Sequence, residues 1–165
     1  MCFLVDFDAV FMRKDPPFDM QFVAALWLLY RAVQQGVRVL NHPQTLLMQN
    51  EKLGILEFPE FISPTLVSAS LEQVKLFHSQ HSDIIIKPLD GMGGAGVFRV
   101  REDGLNLSSC VEMLTGFGEK PLMAQRYIPD VLVGDRRVLV VHGQVMPYVL
   151  ARIPQQGETR ANLAA

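Results

Sequence analysis

The spacing of apolar positions changes along this chain from helical to alternating. "FDAVFMR" alternates and then meets "KDPPFD", where two prolines forbid further strand and favour a turn, so residues 7–13 are predicted to be a strand ending in a loop. Asp19 is a good N-cap for "MQFVAALWLLYRAVQQ", an amphipathic helix that places Trp27 on its buried face and stops at Gly36. "VRVLN" reads as a second strand, and strand, helix and strand together make a βαβ unit that implies a parallel sheet. "HPQTLLMQNEKLGILEF" is predicted helical with Pro43 in its first turn. A further helix starts at Ser70, where Ser70 and Gln73 match a capping box and Leu71, Val74 and Phe77 supply the apolar stripe. Beyond it the chain is β-rich: "IIIKP", "VFRV", "LMAQRY", "RRVLVV" and "VMPYVLAR". One helical piece, "LSSCVEML", lies between the second and third of these and ends near Gly116.

Candidate chemistry concentrates in "DIIIKPLDGMGGAGVFRV", residues 83–100, where Lys87 closes a run of isoleucines and four glycines follow within six residues. "GMGGAG" satisfies the dinucleotide-binding spacing, but that turn must open a helix, and "VFRVRE" alternates like a strand. A P-loop is excluded because no Lys-Ser or Lys-Thr follows the last glycine. What remains is a glycine-rich turn between antiparallel strands. Such a turn can fold over phosphates and offer them backbone N–H groups, or it can be a merely flexible hairpin. Lys87 is either an exposed charge at a strand end or a counter-charge for a phosphate under the loop, and its position beside the glycines favours the second reading. Lys52, in "QNEKL", reads from its own context as a solvated helical charge.

Composition narrows the partner. With 165 residues the chain is long enough for a real core, and 49% apolar and 19% charged residues with a formal net charge of −2 give no general affinity for nucleic acid or an anionic membrane. Apolar runs break well before the roughly 20 residues of a membrane span, and no basic region precedes the N-terminal apolar stretch, which reads as cytoplasmic. Cys2 and Cys110 match neither a metal knuckle nor a disulfide framework and read as reduced thiols.

The phrases "MRKDPPFD", "NEKL", "IIIKPLDGMGG" and "RVLVV" with "PYVLARIPQQGETRANLAA" resemble the bacterial glutathione synthetases of the ATP-grasp superfamily over nearly all of the chain. The resemblance implies an α/β (α+β) chain: a partial ATP-grasp fold preceded by the last βαβ unit of a Rossmann-like N-terminal domain. It assigns residues 1–48 to that remnant, 49–129 to the lid subdomain with the glycine-rich loop, and 130–165 to the start of the core subdomain. It also implies an ATP-dependent ligase that activates the carboxylate of γ-glutamylcysteine as an acyl phosphate, which the amine of glycine displaces. ATP would lie between two antiparallel sheets, with Lys52, Lys87, Gly93 and Gly94 toward the phosphates. Gln125, Arg126 and Ile128 would meet the adenine, and Asp135 the ribose. Arg137 and Arg152 match positions that bind the substrate carboxylate or the transferring phosphate, a task suited to planar guanidinium groups. Gly157, Thr159 and Arg160 fall in a loop resembling the family's mobile lid, and Arg13 and Lys14 either face the same cleft or form a salt-linked turn.

The family's magnesium ligands have no counterpart in this sequence, so Mg2+ is expected to be held outside it, with no metal ligands here. The first strand starts almost at Met1 and the last segment is a polar loop, from which the chain is expected to be an internal fragment covering roughly half of a typical member, inactive alone. The full-length form is expected to be a homo-oligomer acting on small molecules. Two alternatives accompany this reading: another ATP-grasp carboxylate–amine ligase, and a nucleotide-binding remnant without catalysis.

Overall fold

The computed structural model describes residues 3–14 and 17–154, and the chain divides into two compact units, Met1–Ile62 and Ser63–Ala165. Gly157, Thr159 and Arg160 lie outside the described residues. No helix among the described residues is long and apolar enough to cross a membrane.

The first unit is built around the expected βαβ arrangement. Strands β1 (Val10–Phe11) and β2 (Val39–Leu40) pair in parallel, joined by helix α1 (Met20–Gln34). Asp19 caps α1 by accepting the Phe22 N–H at 2.8 Å. The strands are shorter than their alternating patterns predict, because the ladder between them holds only two residue pairs. Leu29 and Ala32 of α1 pack with Val37 and Val39 in this unit's core, with Val10, Met12 and Val33 at its edge.

Trp27 departs from its expected place, being 54% exposed. The buried stripe of α1 is Leu26, Leu29 and Ala32, and successive residues on a helix turn by about 100°, so Trp27 falls outside that stripe. The single helix predicted over residues 42–58 is also divided. Helix α2 covers only Pro43–Met48, capped by His42, and a short 3-10 helix follows at Leu53–Glu57. Asn50 causes the break. Its side-chain oxygen accepts the N–H groups of Lys52 (2.9 Å) and Leu53 (3.0 Å), which offers the backbone an alternative to α-helical pairing. Lys52 therefore stands at the start of the 3-10 turn and not within an α-helix.

The second unit contains a four-stranded sheet in the order β3-β6-β4-β5, with β3 Thr65–Ser68, β4 Ile84–Pro88, β5 Phe98–Val100 and β6 Leu122–Arg126. Every neighbouring pair is antiparallel. Helix α3 (Leu71–His81) links β3 to β4 and helix α4 (Leu107–Thr115) links β5 to β6, so β6 is inserted between β3 and β4. Alternation then separates the two faces of the sheet. Ile84, Ile86, Val100, Leu122 and Ala124 point toward α3 and α4, where Val74, Phe77, Val111 and Leu114 complete the core.

The cap of α3 differs from the predicted box. Ser70 Oγ accepts the Gln73 N–H at 3.4 Å, but the Gln73 side chain does not return directly to Ser70. Ser68 intervenes: its hydroxyl donates to Gln73 Oε1 at 2.6 Å and accepts the Ser70 N–H at 2.9 Å. The pattern does not predict strand β3, which is four residues long and directly follows Ser63 and Pro64.

Strands β7 (Asp135–Val141) and β8 (Gln144–Arg152) form a separate antiparallel hairpin. Gly134 precedes it at φ +106°, where a Cβ would stand 2.9 Å from the backbone oxygen of Arg152. Only glycine fits such a close approach in that conformation.

Two substitutions test this packing. Ile86 is fully buried between the sheet and its helices, and Ile86→Ala is expected to lower the unfolding free energy measured in urea by about 2–5 kcal/mol. Gly134→Ala is expected to cost about 1–3 kcal/mol in the same measurement, through backbone strain and displacement of the chain at Arg152.

Candidate functional site

The open face of the four-stranded sheet carries polar side chains in register. Thr65, Gln125, Ile85 and Arg99 lie directly opposite one another across β3, β6, β4 and β5, and Lys87 follows Ile85 by two residues on the same face. Lys87 Nζ donates to Gln125 Oε1 at 2.6 Å, Gln125 Nε2 donates to Thr65 Oγ1 at 2.8 Å, and that hydroxyl donates to the Ser63 carbonyl at 2.7 Å. Each group in this relay has a defined partner, so the Lys87 ammonium is held against the sheet face and not splayed into solvent. An ammonium here is a fixed positive charge next to a polar, half-buried surface.

Above that face lies a cleft of about 520 Å³, within the range of sites that hold small molecules. It is lined entirely by the second unit. Lys87 and Gly94 contribute from β4 and the loop after it, Gln125 to Ile128 from the end of β6, and Asp130, Gly134 and Asp135 from the segment that leads into β7. Ile85, Val97 and Val131 add apolar surface.

The glycine-rich segment is the loop of a β-hairpin, as expected. β4 and β5 pair through Ile84 with Val100, Ile85 with Arg99 and Ile86 with Phe98, and no helix forms within residues 89–97. The loop is built from successive turns, with the Ala95 N–H on the Met92 carbonyl (3.0 Å) and the Val97 N–H on the Gly94 carbonyl (3.3 Å). Gly94 reaches the cleft at φ +79°, a conformation that side chains strongly disfavour, and Gly93 precedes it in the same left-handed region.

At the end of β6 the backbone runs 126–128 along the cleft. The Arg126 N–H is used by the Pro64 carbonyl (3.0 Å), the Tyr127 N–H by the Asp83 carbonyl (2.9 Å), and the Ile128 carbonyl by the Val131 N–H (3.2 Å). No acceptor among the described residues takes the Ile128 N–H, and the Ile128 side chain is exposed.

Of the residues expected to bind ATP, Lys87, Gly94, Gln125, Arg126, Ile128 and Asp135 line this one cleft, although they come from separate segments. Gly93 is their neighbour in the loop. Lys52 belongs to the first unit and is not among the lining residues, and Arg13 is exposed in that same unit, in the loop after β1. Neither arginine assigned to the reacting groups lines the cleft. Arg137 is exposed on β7 opposite Leu150. Arg152 is committed to Asp135 through two hydrogen bonds, Nε to Oδ1 at 2.7 Å and an Nη to Oδ2 at 2.6 Å, between residues paired across β7 and β8. Hydrogen bonding to Asp135 raises the Arg152 guanidinium above its ordinary range, against the opposing effect of burial.

Sequence reasoning did not single out Asp83, Arg99 and Tyr127. Arg99 forms a fork with Asp83, Nε to Oδ1 at 3.0 Å and an Nη to Oδ2 at 2.6 Å, and its guanidinium carbon lies 3.6 Å from the centre of the Tyr127 ring. That hydrogen bonding raises the Arg99 guanidinium above its ordinary range, with burial opposing. The signal was present in the hairpin register. Once "DIIIK" and "VFRV" pair about a glycine loop, Asp83, Ile85, Lys87 and Arg99 must share a face.

For a metal, the described residues offer no group of three or more His, Cys, Asp or Glu side chains able to hold one. The described residues therefore do not supply a site for the magnesium ion of the expected chemistry.

Known proteins resemble this chain in sequence and in fold. Residues 51–165 match the family model for the prokaryotic glutathione synthetase ATP-grasp domain, and residues 1–46 match that for the N-terminal domain of the same proteins. A glutathione synthetase from Ralstonia nicotianae is 52% identical over 162 residues, covering 98% of this chain and 50% of that protein. One from Neisseria meningitidis serogroup B is 55% identical over 159 residues, covering 96% of this chain and 50% of that protein. The chain thus spans about half the length of the curated relatives it matches. Among solved structures, D-cycloserine synthetase DcsG superposes with a TM-score of 0.68 at 18% identity, over 97% of this chain and 64% of that one. The D-alanyl-alanine synthetase A of Vibrio cholerae superposes with a TM-score of 0.58 at 17% identity, over 87% of this chain and 44% of that one. The fold is therefore that of ATP-grasp ligases, and the chain belongs to the prokaryotic glutathione synthetase family.

Proposed function

We propose that the cleft of the second unit binds ATP and that the protein is a ligase joining γ-glutamylcysteine to glycine. The observation that carries this reading is the meeting of three unlike parts in one cleft: a lysine at a strand end, a glycine-rich hairpin loop, and the end of a strand with an open backbone donor. A nucleoside triphosphate asks for all three. Its phosphates need positive charge and N–H groups that can approach closely, which Lys87 and the loop at Gly93 and Gly94 supply. Its base needs an apolar slot with a hydrogen-bonding edge. Ile85, Val97 and Ile128 give the slot and the Ile128 N–H gives a donor for a ring nitrogen. Asp135 can accept from a ribose hydroxyl with lone pairs that the Arg152 fork leaves available, since a carboxylate has about four acceptor sites.

In the reaction, the terminal phosphoryl group of ATP passes to the carboxylate of γ-glutamylcysteine, giving ADP and an acyl phosphate. The glycine amine then attacks the acyl carbon, the carbon–oxygen bond to phosphate breaks, and phosphate leaves as the nitrogen gives up a proton and the peptide bond forms. Negative charge accumulates on the transferring oxygens, and a lysine fixed by Gln125 and Thr65 needs no reorganisation to meet it. Lys52 would add a second positive charge at the phosphates. Arg137 and Arg152 would hold carboxylate or phosphate oxygens through paired N–H groups. For Arg152 this means exchanging or sharing its present partner, Asp135. Arg13 and residues Gly157, Thr159 and Arg160 are assigned to the substrate side and the closing loop, and magnesium to residues beyond those described.

The choice of γ-glutamylcysteine and glycine over other substrates rests on relatives named glutathione synthetase at 52–55% identity, against 17–18% for the two ligases compared by structure. A chain completed to the length of those relatives is expected to release phosphate from ATP only when γ-glutamylcysteine and glycine are both present. Release with a different carboxylate and amine pair, and none with these, would overturn the substrate assignment. For the 165-residue chain, Lys87→Met is expected to weaken ATP binding roughly tenfold to a hundredfold, read by titration calorimetry, with the circular dichroism spectrum unchanged.

A further inference from the structure

Arg99 is not among the residues lining the cleft, yet three contacts tie it to the segment that does line it. Its guanidinium forms the two-pronged fork with Asp83. Its carbon centre sits 3.6 Å from the Tyr127 ring centre, over the ring. Asp83, held by that fork, accepts the Tyr127 N–H on its own backbone carbonyl at 2.9 Å. Tyr127 is thus gripped twice from one arginine, once through the ring and once through the peptide of Asp83. Its hydroxyl adds nothing to that grip, being buried without a partner among the described residues. On either side of Tyr127 stand Arg126 and Ile128, both in the lining.

We infer that Arg99 is a positioning residue for the base end of the nucleotide site: with Asp83 it clamps Tyr127 and so fixes where the Ile128 N–H points. This rests on the reading that the cleft binds ATP. The clamp suits the task for physical reasons. A guanidinium fork has a defined plane, and a ring stacked against that plane takes its orientation from it. The Arg99 and Asp83 side chains are only 21% and 29% exposed, so the pair is less screened than one on the open surface. The phosphate end is held differently, through Lys87, Gln125 and Thr65, and none of these hydrogen bonds involves Arg99. Loss of the clamp should therefore be felt by the base and not by the phosphates.

The experiment uses the 165-residue chain and three variants: Arg99→Met, Arg99→Lys, and the double variant Asp83→Asn/Arg99→Met, which leaves no carboxylate without its partner. Each is titrated with ATP and with inorganic tripolyphosphate, and amide hydrogen exchange is followed at Tyr127. The inference predicts ATP binding weakened roughly tenfold in the single Met and double variants, tripolyphosphate binding unchanged, faster exchange at Tyr127, and partial recovery in Arg99→Lys. Unchanged ATP affinity in the double variant would overturn it, and so would equal losses for ATP and tripolyphosphate, which would mark a general structural role. Should the wild-type chain bind neither ligand, the nucleotide reading itself falls. Exchange at Tyr127 then judges the clamp alone: faster exchange in the double variant upholds it, and unchanged exchange overturns it.

Discussion

The hydrogen bond from Lys87 to Gln125 joins residues 38 positions apart, and it exists because β6 inserts between β3 and β4. Without that insertion β4 would lie beside β3 and the lysine would face a different neighbour. With it, Gln125 stands between Thr65 on one side and Lys87 on the other, and its amide serves both. The same strand then continues into residues 126–128, so a single element carries the partner of Lys87 and the open backbone donor. Sheet order is thus what brings the two ends of the cleft to one place. The core stabilises this order from the other face, where each of the fully buried isoleucines of β4 contributes about 1.5–3 kcal/mol of burial.

Charge in this region is arranged in pairs. Arg99 with Asp83, and Arg152 with Asp135, are both two-pronged and both join residues well separated in the sequence. Their likeness ends there. The first pair is enclosed by Tyr127 and braces the wall of the cleft. The second spans the ends of an exposed hairpin, and its carboxylate lies in the lining itself. Asp135 belongs both to the cleft lining and to an arginine fork, which is why Asp135 and Arg152 have to be considered together.

Much of the fold was legible in the chain. Helix α1 announces itself by Asp19 and Gly36, α4 by its apolar stripe and Gly116, and β4 with β5 by alternation on either side of four glycines. What was not legible shares a physical cause, namely dependence on partners distant in sequence. Strand β3 is short and mostly half-buried, and it is a strand because β6 pairs with it. The break before Lys52 turns on a side-chain hydrogen bond of Asn50 competing with the helix. The exposure of Trp27 depends on which stripe of α1 meets the strands, which an apolar helix does not specify by itself. At the site, the local features, Lys87 and the glycine loop, could be seen directly from their residues. The Asp83, Arg99 and Tyr127 cluster required the hairpin register and the end of β6 at once.

On the proposed reading, one cleft receives both ends of ATP, the phosphates at Lys87 and the glycine loop, the base at Ile128. A crystal structure of the chain with a non-hydrolysable ATP analogue tests it most directly. A ring nitrogen of adenine is expected within hydrogen-bonding distance of the Ile128 N–H, and phosphate oxygens against Lys87 and residues 91–96. An analogue bound elsewhere on the chain, or bound here with its base against Lys87, would contradict it.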